Sequence, residues 1–288
     1  MNGMVNGDGL AIGRESRHAT FVAISTGFPM MRNALLAAAG AFALLPASAQ
    51  SVRDTVDTAD ANEPMAFREV IDRDIPLDPG SAVSVEGIAG PVTIETGTGR
   101  TARVHIVRMA ATQRALDCYR TRITGGGAGL GIAHEQFAAR AGCSSIRSRQ
   151  EVRLTLPRDA NLSLESIAGN VEIAPLDGEL MLESIAGHVR ADGVRSGALS
   201  SLANGLALTL GDLARRGVEI SSVTGAVRID FRPGTDADVR LSSVMGRVRA
   251  AERDLSFREN RDFRMTIGAG GAPVTLSSVV GNVTLNGR

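Results

Sequence analysis

The residues of this chain that could carry chemistry are two glutamates at equivalent places in a repeated pattern. Glu165 and Glu183 each precede a serine and lie 18 positions apart. Stacked strands would bring their carboxylates to about 5 Å from each other. A cation could bridge such a pair, and clustered carboxylates are also what polysaccharide-cleaving enzymes require. The simpler interpretation is two solvated carboxylates that arginines partly neutralise.

The other candidates lack the partners that their chemistry would need. His105, His134 and His188 have no second ligand at metal-binding spacing. The glycine-rich run of residues 125–131 has neither the strand-loop-helix context of a dinucleotide site nor the Gly-Lys-Ser/Thr of a P-loop. We therefore predict no catalytic, cofactor-binding or metal-binding residue, no cofactor, and no enzymatic activity.

The two cysteines, Cys118 and Cys143, are predicted to form a disulfide. They enclose the glycine-rich run, whose ordering would otherwise cost much conformational entropy. Closing a loop of this length would stabilise the fold by about 3 kcal/mol. A structural zinc site would need four ligands, so two isolated cysteines argue against one.

The first 49 residues have the features of an export signal. A short basic segment at residues 30–33 precedes an apolar stretch at 34–45, and small residues at 46–49 predict cleavage after Ala49. Residues 1–29 then form an upstream extension. We expect an exported protein, in the periplasm or at the cell surface, without an integral membrane span after cleavage.

Composition excludes one class of partner and suggests a simple domain organisation. The chain has 31 basic and 31 acidic residues, so no excess of positive charge favours nucleic acid.

Residues 50–64 are polar and acidic, which is typical of a flexible lead-in. We expect a single β-repeat domain over residues 65–288, with an insertion at 109–150.

The domain is defined by a short sequence motif, Ser-Ile/Val-x-Gly, that recurs mostly every 18 to 21 residues. Each copy ends in a glycine, and alternating apolar residues flank it on both sides, which predicts strand, turn and strand. The glycine of each copy is predicted to make the turn, because it adopts positive φ without steric cost. These turn glycines are Gly90, Gly169, Gly187, Gly205, Gly225, Gly246 and Gly281.

The repeats favour an all-β fold built by stacking. A unit of roughly 20 residues cannot bury its apolar face alone, whereas stacked units bury it against each other. We predict a parallel β-solenoid with an N-terminal β cap and a disulfide-bounded insertion. An antiparallel meander of β-hairpins is the alternative, because strand-turn-strand also describes a hairpin. The last strand, Val283–Leu285, would then lie at an open edge that could allow edge-to-edge self-association.

These residues carry a resemblance to a known family. Repeated Ser-Ile/Val-x-Gly units, the opening segment Val83–Ile94 and the strand-proline step Val152–Pro157 resemble the bacterial "putative adhesin" family of exported β-strand-repeat domains of unknown function. The resemblance covers residues 66–288 except the insertion. It implies an elongated β fold at the cell envelope and supplies no catalytic residues.

Two main functions therefore remain open from the sequence, beside a minor third, a periplasmic sensor partner in envelope signalling. The first is a non-enzymatic scaffold or adhesion/interaction module of the cell envelope, with an envelope protein or a surface glycan as its partner. The second is a polysaccharide-binding or polysaccharide-active β-helix protein. The chain has no tryptophan and one tyrosine, which leaves few aromatic platforms for a sugar.

Overall fold

The computed structural model describes residues 65–136, 143, 148–250 and 253–287. One helix lies in this part of the chain, α1 (Gln113–Asp117). The strands before the regular repeats are β1 (Phe67–Pro76), β2 (Ala82–Glu86), β3 (Val92–Gly97), β4 (Thr101–Ala110), β5 (Tyr119–Gly126), β6 (Gly129–Gln136) and β7 (Ser148–Pro157). The repeat strands are β8 (Asn161–Ile167), β9 (Val171–Ile173), β10 (Leu180–Ala186), β11 (Val189–Val194), β12 (Gly197–Ala203), β13 (Leu206–Leu210), β14 (Val218–Thr224) and β15 (Val227–Phe231). The last four strands are β16 (Ala237–Ala250), β17 (Arg253–Ile267), β18 (Ala272–Val280) and β19 (Val283–Asn286).

The strands pair along two ladders. The first ladder runs in the order β5, β6, β2, β8, β10, β12, β14, β18 and β16. The second runs β1, β4, β7, β3, β9, β11, β13, β15, β19 and β16. The long strand β16 belongs to both ladders and pairs with β17, so the ladders join into one 19-stranded sheet.

The predicted parallel β-solenoid is wrong, because the sheet is mixed. Four of the strand pairs that the structure describes are antiparallel: β1–β4, β4–β7, β5–β6 and β16–β17. The repeats themselves pair in parallel and in register, with Ile185 opposite Ile167 and Leu202. Alternation of apolar residues specifies which side chains are buried but not the direction of the neighbouring strand. The sequence pattern therefore could not reveal the antiparallel ends.

The expected open edge at the last strand is also wrong. Strand β19 lies between β15 and β16, and β18 lies between β14 and β16. If the units stacked in chain order, β16 would lie next to β14 and β15. Instead the last two strands, β18 and β19, occupy that position, and the β16–β17 hairpin lies one strand further along the sheet. Among the described strands, the ones with a single partner strand are β1, β5 and β17.

Alternating residues of both ladders fill one apolar core. The aliphatic residue that follows the serine of each repeat points inwards, as expected, and is at most 2% exposed. These residues are Ile167, Ile185, Leu202, Val223, Val244 and Val279. Each repeat is therefore fixed to its neighbours by an aliphatic side chain beside the glycine.

The segment 109–150 takes part in the sheet rather than lying apart from it. Its hairpin β5–β6 joins the first ladder, where β6 pairs in parallel with β2. The glycine-rich run supplies the turn between these two strands. The predicted disulfide is confirmed: Cys118 and Cys143 are bonded, with their Cα atoms 5.5 Å apart.

Removal of this disulfide is expected to destabilise the protein strongly. Replacing both cysteines with alanine should lower the free energy of unfolding by about 3 kcal/mol, because the unfolded chain regains a 25-residue loop. Urea unfolding followed by circular dichroism measures the change. Reductant should lower the stability of the wild type to the same extent and leave the double variant unaffected. An equal response of both proteins to reductant would contradict the expectation.

Candidate functional site

The most regular surface feature is a column of serines on the first ladder, which we call the repeat corner. Its members adopt a left-handed backbone conformation with φ between 52° and 57°. All of them are exposed. The members are Ser166, Ser184, Ser201, Ser222, Ser243 and Ser278. The predicted positive φ is also found at five of the seven turn glycines, Gly90, Gly205, Gly225, Gly246 and Gly281, with φ between 122° and 147°, so in the units of the last four the serine and the glycine share the turn.

The glycines also let successive units approach closely. Gly169 and Gly187 do not adopt positive φ. A Cβ atom on Gly187 would lie 2.0 Å from the carbonyl oxygen of Gly169, and one on Gly281 would lie 1.9 Å from that of Gly225. Backbone thus packs on backbone at this position, and any side chain would push the units apart.

On its C-terminal side the repeat corner is flanked by uncharged side chains. Two positions after each serine lie six residues that are exposed or half-buried; five of them stand side by side on successive strands, and Ala168 directly follows β8. They are Ala168, Ala186, Ala203, Thr224, Val280 and Met245. Met245 and Val280 are the largest of them and are 51% and 52% exposed. The corner therefore presents hydroxyl and methyl groups in straight rows, spaced about 4.8 Å apart.

The two predicted glutamates lie beside this corner. Glu183 is directly opposite Glu165, as expected, and Glu86 extends the row on β2. All three side chains are exposed. Within the described ranges, no group of three or more His, Cys, Asp or Glu residues is arranged to hold a metal ion.

A cavity of about 670 Å³ opens where the first repeats meet the β5–β6 hairpin. Its walls include Met65, Ala89, Asn170 and the stacked rings of Tyr119 and His134, whose centroids are 4.8 Å apart. Buried Arg108 helps to position the wall, since its guanidinium donates to the carbonyl oxygens of Leu116 and Tyr119. The volume lies in the range of small-molecule sites.

His134 is held neutral in the wall of this cavity. Burial first, and then the charge of Arg108, lower its pKa from 6.5 to about 4. The Gln150 amide donates to Nδ1, so the ring proton lies on Nε2. Both Nε2 of His134 and Oε1 of Gln150 are buried without a hydrogen-bond partner in the described part of the chain. The ring is therefore neither a charged group nor a poised proton donor near neutral pH.

Acid should weaken the fold through His134. Between pH 6.5 and about 4 the unfolded chain binds a proton at this residue and the folded chain does not. The free energy of unfolding is therefore complete above pH 6.5 and falls as the pH decreases towards 4. Urea midpoints across this range should depend less on pH in His134→Gln than in the wild type. The exposed His188→Gln serves as the matched control, and an equal loss of pH dependence in both variants would contradict the assignment.

The remaining predicted positions lie in structural roles. His188 is exposed after its glycine, and its backbone N–H donates to the side chain of Asn170. His105 lies on β4 and pairs with Asp72 at 2.7 Å. Gly246 lies within β16, whereas Gly90, Gly169, Gly187, Gly205, Gly225 and Gly281 lie between strands.

The stacking of Tyr119 on His134 was missed by sequence reasoning. The two residues lie on either side of the glycine-rich turn, and the hairpin register places Thr121 opposite His134 and Tyr119 opposite Gln136. Tyr119 and His134 are thus diagonal neighbours, within reach of aromatic rings. Treating residues 125–131 as the turn of a hairpin would have predicted this contact.

Comparison with known proteins gives low similarity throughout. No family model and no curated protein matches the chain. A crystal structure of a putative cell adhesion protein from Clostridium sporogenes is 10% identical, with a TM-score of 0.34, over 76% of this chain and 100% of that one. A putative adhesin from Bacteroides fragilis is 14% identical, with a TM-score of 0.30, over 75% and 97%. A putative lipid binding protein from Parabacteroides distasonis is 10% identical, with a TM-score of 0.28, over 75% and 96%.

The chain is thus similar to bacterial structures that bear the adhesin name, as the repeats predict. Identities of 14% or less and TM-scores of 0.34 or less carry no argument about its activity. A search for spans among the described residues found no helix with the length and hydropathy to cross a membrane. The repeat corner and the surfaces around it are therefore the features that bear on function.

Proposed function

We propose that this protein is an exported, non-enzymatic β-repeat protein that serves as a scaffold or an adhesion/interaction module of the cell envelope. The observation that carries the proposal is the repeat corner, where identical exposed serines stand in register on successive strands. Such a surface presents hydroxyl and methyl groups in rows, with the exposed carboxylates of Glu86, Glu165 and Glu183 beside it. It suits contact with another extended surface better than the enclosure of a reacting group.

The disulfide supports export. Bonds such as Cys118–Cys143 persist in oxidising compartments and are rare in the cytosol. The export signal predicted at residues 1–49 lies outside the described residues. The proposed partner is an envelope protein or a surface glycan, which contacts the hydroxyl and methyl rows of the corner.

Binding to isolated cell envelopes tests this function. The purified chain 50–288 should sediment with envelopes, and arginines at Ala168 and Ala186 should weaken that binding about tenfold or more, because they stand in the exposed row beside the corner. Ala198→Arg is the matched control, since Ala198 is an exposed alanine on β12 outside that row.

The outcome separates the partner classes and can reject the proposal. Protease treatment of the envelopes should abolish binding if the partner is a protein, and periodate oxidation should abolish it if the partner is a glycan. Absence of sedimentation, or an equal loss in the Ala198→Arg control, would contradict a role for the corner.

A further inference from the structure

Strand β1 ends the second ladder and leaves one backbone edge open. Its ten residues pair with β4 from Phe67 to Pro76, and no other described strand pairs with it. Its side chains are mostly exposed, including Phe67 at 39% and Val70 at 42%. An edge of this length, with apolar side chains beside unpaired backbone groups, can accept a further strand.

The charges of β1 permit pairing with a copy of itself. The strand carries two basic and three acidic residues, so a second copy can meet it with opposite charges. The edge strand β5 differs in this respect, because it carries Arg120 and Arg122 but no acidic residue, and a second copy would meet it with like charges.

We propose that β1 pairs antiparallel with β1 of a second copy of this chain, around a twofold axis at Ile71. The sequence of β1 is complementary to its own reverse about that residue. Arg68 then lies opposite Asp74 of the second copy, and Glu69 lies opposite Arg73. By symmetry each of these pairs forms twice. Opposite charges directly across an antiparallel pair are stabilising.

The charged groups are available for this contact. Arg68 and Asp74 form no ion pair within the described part of the chain. Glu69 accepts a hydrogen bond from Arg108 through Oε2 only, and its side chain remains 45% exposed. The pairing therefore adds partners without breaking those already made.

The apolar residues of β1 agree with the same register. Ile71 and Ile75 are half-buried and pack against the core. In the paired dimer Ile71 meets its own copy, and the exposed Phe67 lies over Ile75 of the second chain. Since alternate residues of a strand share a face, these contacts continue the inner apolar layer across the axis.

Neighbouring registers are disfavoured by charge. A shift by one residue places Arg68 opposite Arg73 in one direction and Glu69 opposite Asp74 in the other. Like charges directly opposite each other destabilise a strand pair. The charge pattern therefore favours the alignment about Ile71 over both one-residue shifts, which would also turn the apolar residues to the other face.

Charge exchange between two variants tests the proposal. Sedimentation velocity of the chain 50–288 over a concentration series should show a reversible dimer for the wild type. Arg68→Asp and Asp74→Arg should each be monomeric, because each places like charges opposite one another. An equimolar mixture of the two should form a heterodimer, and the chain with both substitutions should dimerise again.

Two controls keep the result interpretable. Arg190→Asp changes the same charge at an exposed position of β11, away from any edge, and should dimerise like the wild type. Thermal unfolding shows whether each single variant is folded. A wild type that stays monomeric at every concentration would overturn the proposal, as would a dimer that tolerates Arg68→Asp, or two folded monomeric variants that fail to associate on mixing.

Discussion

Replacing Gly187 with alanine is expected to lower the free energy of unfolding by about 3 kcal/mol or more. The new Cβ atom would lie 2.0 Å from the Gly169 carbonyl oxygen and 2.4 Å from its carbon. Both are backbone atoms of a paired neighbour, so the overlap cannot be relieved by a side-chain rotation. Urea unfolding followed by circular dichroism measures the loss.

Gly97→Ala is the matched control for this substitution. Gly97 lies at the end of β3, and a Cβ there would be 3.5 Å from Cγ2 of Thr155, which is ordinary contact. We expect a change within about 1 kcal/mol. If Gly187→Ala were no more harmful than Gly97→Ala, the close stacking of successive units would be wrong.

The second large effect is expected at Leu182. This side chain is 1% exposed in the core, and its truncation to alanine should cost about 2–5 kcal/mol through lost burial and the cavity that remains. Met181 is its chain neighbour on the opposite face and is 51% exposed. Met181→Ala should change stability by about 0.5 kcal/mol or less. Similar losses at both positions, measured by urea unfolding, would contradict the register of β10.

The buried positions of the repeats could be predicted from the sequence because they obey a local rule. Apolar residues alternate along each strand, so the inward direction of Leu182 and of Ile185 follows from period two. The disulfide was also predictable, since two cysteines allow a single pairing. These features depend on neighbours in the chain rather than on the arrangement of whole units.

The order and direction of the strands could not be predicted in the same way. No pattern in the sequence of residues 251–272 predicts that β17 pairs antiparallel with β16, or that β18 pairs with β14. Both β16 and β18 carry the same inward pattern, so either could pair with β14 equally well by local criteria. The choice of β18 as the partner of β14 therefore depends on contacts between segments that are distant in the sequence.

The candidate surface was predictable only in part. The sequence aligned the serines and predicted positive φ at the glycines, because glycine pays the smallest steric cost for it. Glycines such as Gly225 adopt positive φ, with φ of 123°, but the positive φ of the serines, 57° at Ser184, and the close approach of backbone at Gly187 were not predicted. Steric crowding by a neighbouring strand is not visible in a single repeat.

Disulfide cross-linking of Thr224→Cys with Val280→Cys tests most directly whether the repeat corner is built as described. These exposed positions lie opposite each other on β14 and β18, about 4.8 Å apart across neighbouring strands. We expect rapid oxidation to a bond between them, detected by mass spectrometry of unreduced peptides, with Cys118–Cys143 intact. Thr224→Cys with Met245→Cys should not cross-link, since β16 is one strand further away and beyond the reach of a disulfide. The opposite result would place the repeats in chain order and contradict the inserted final unit.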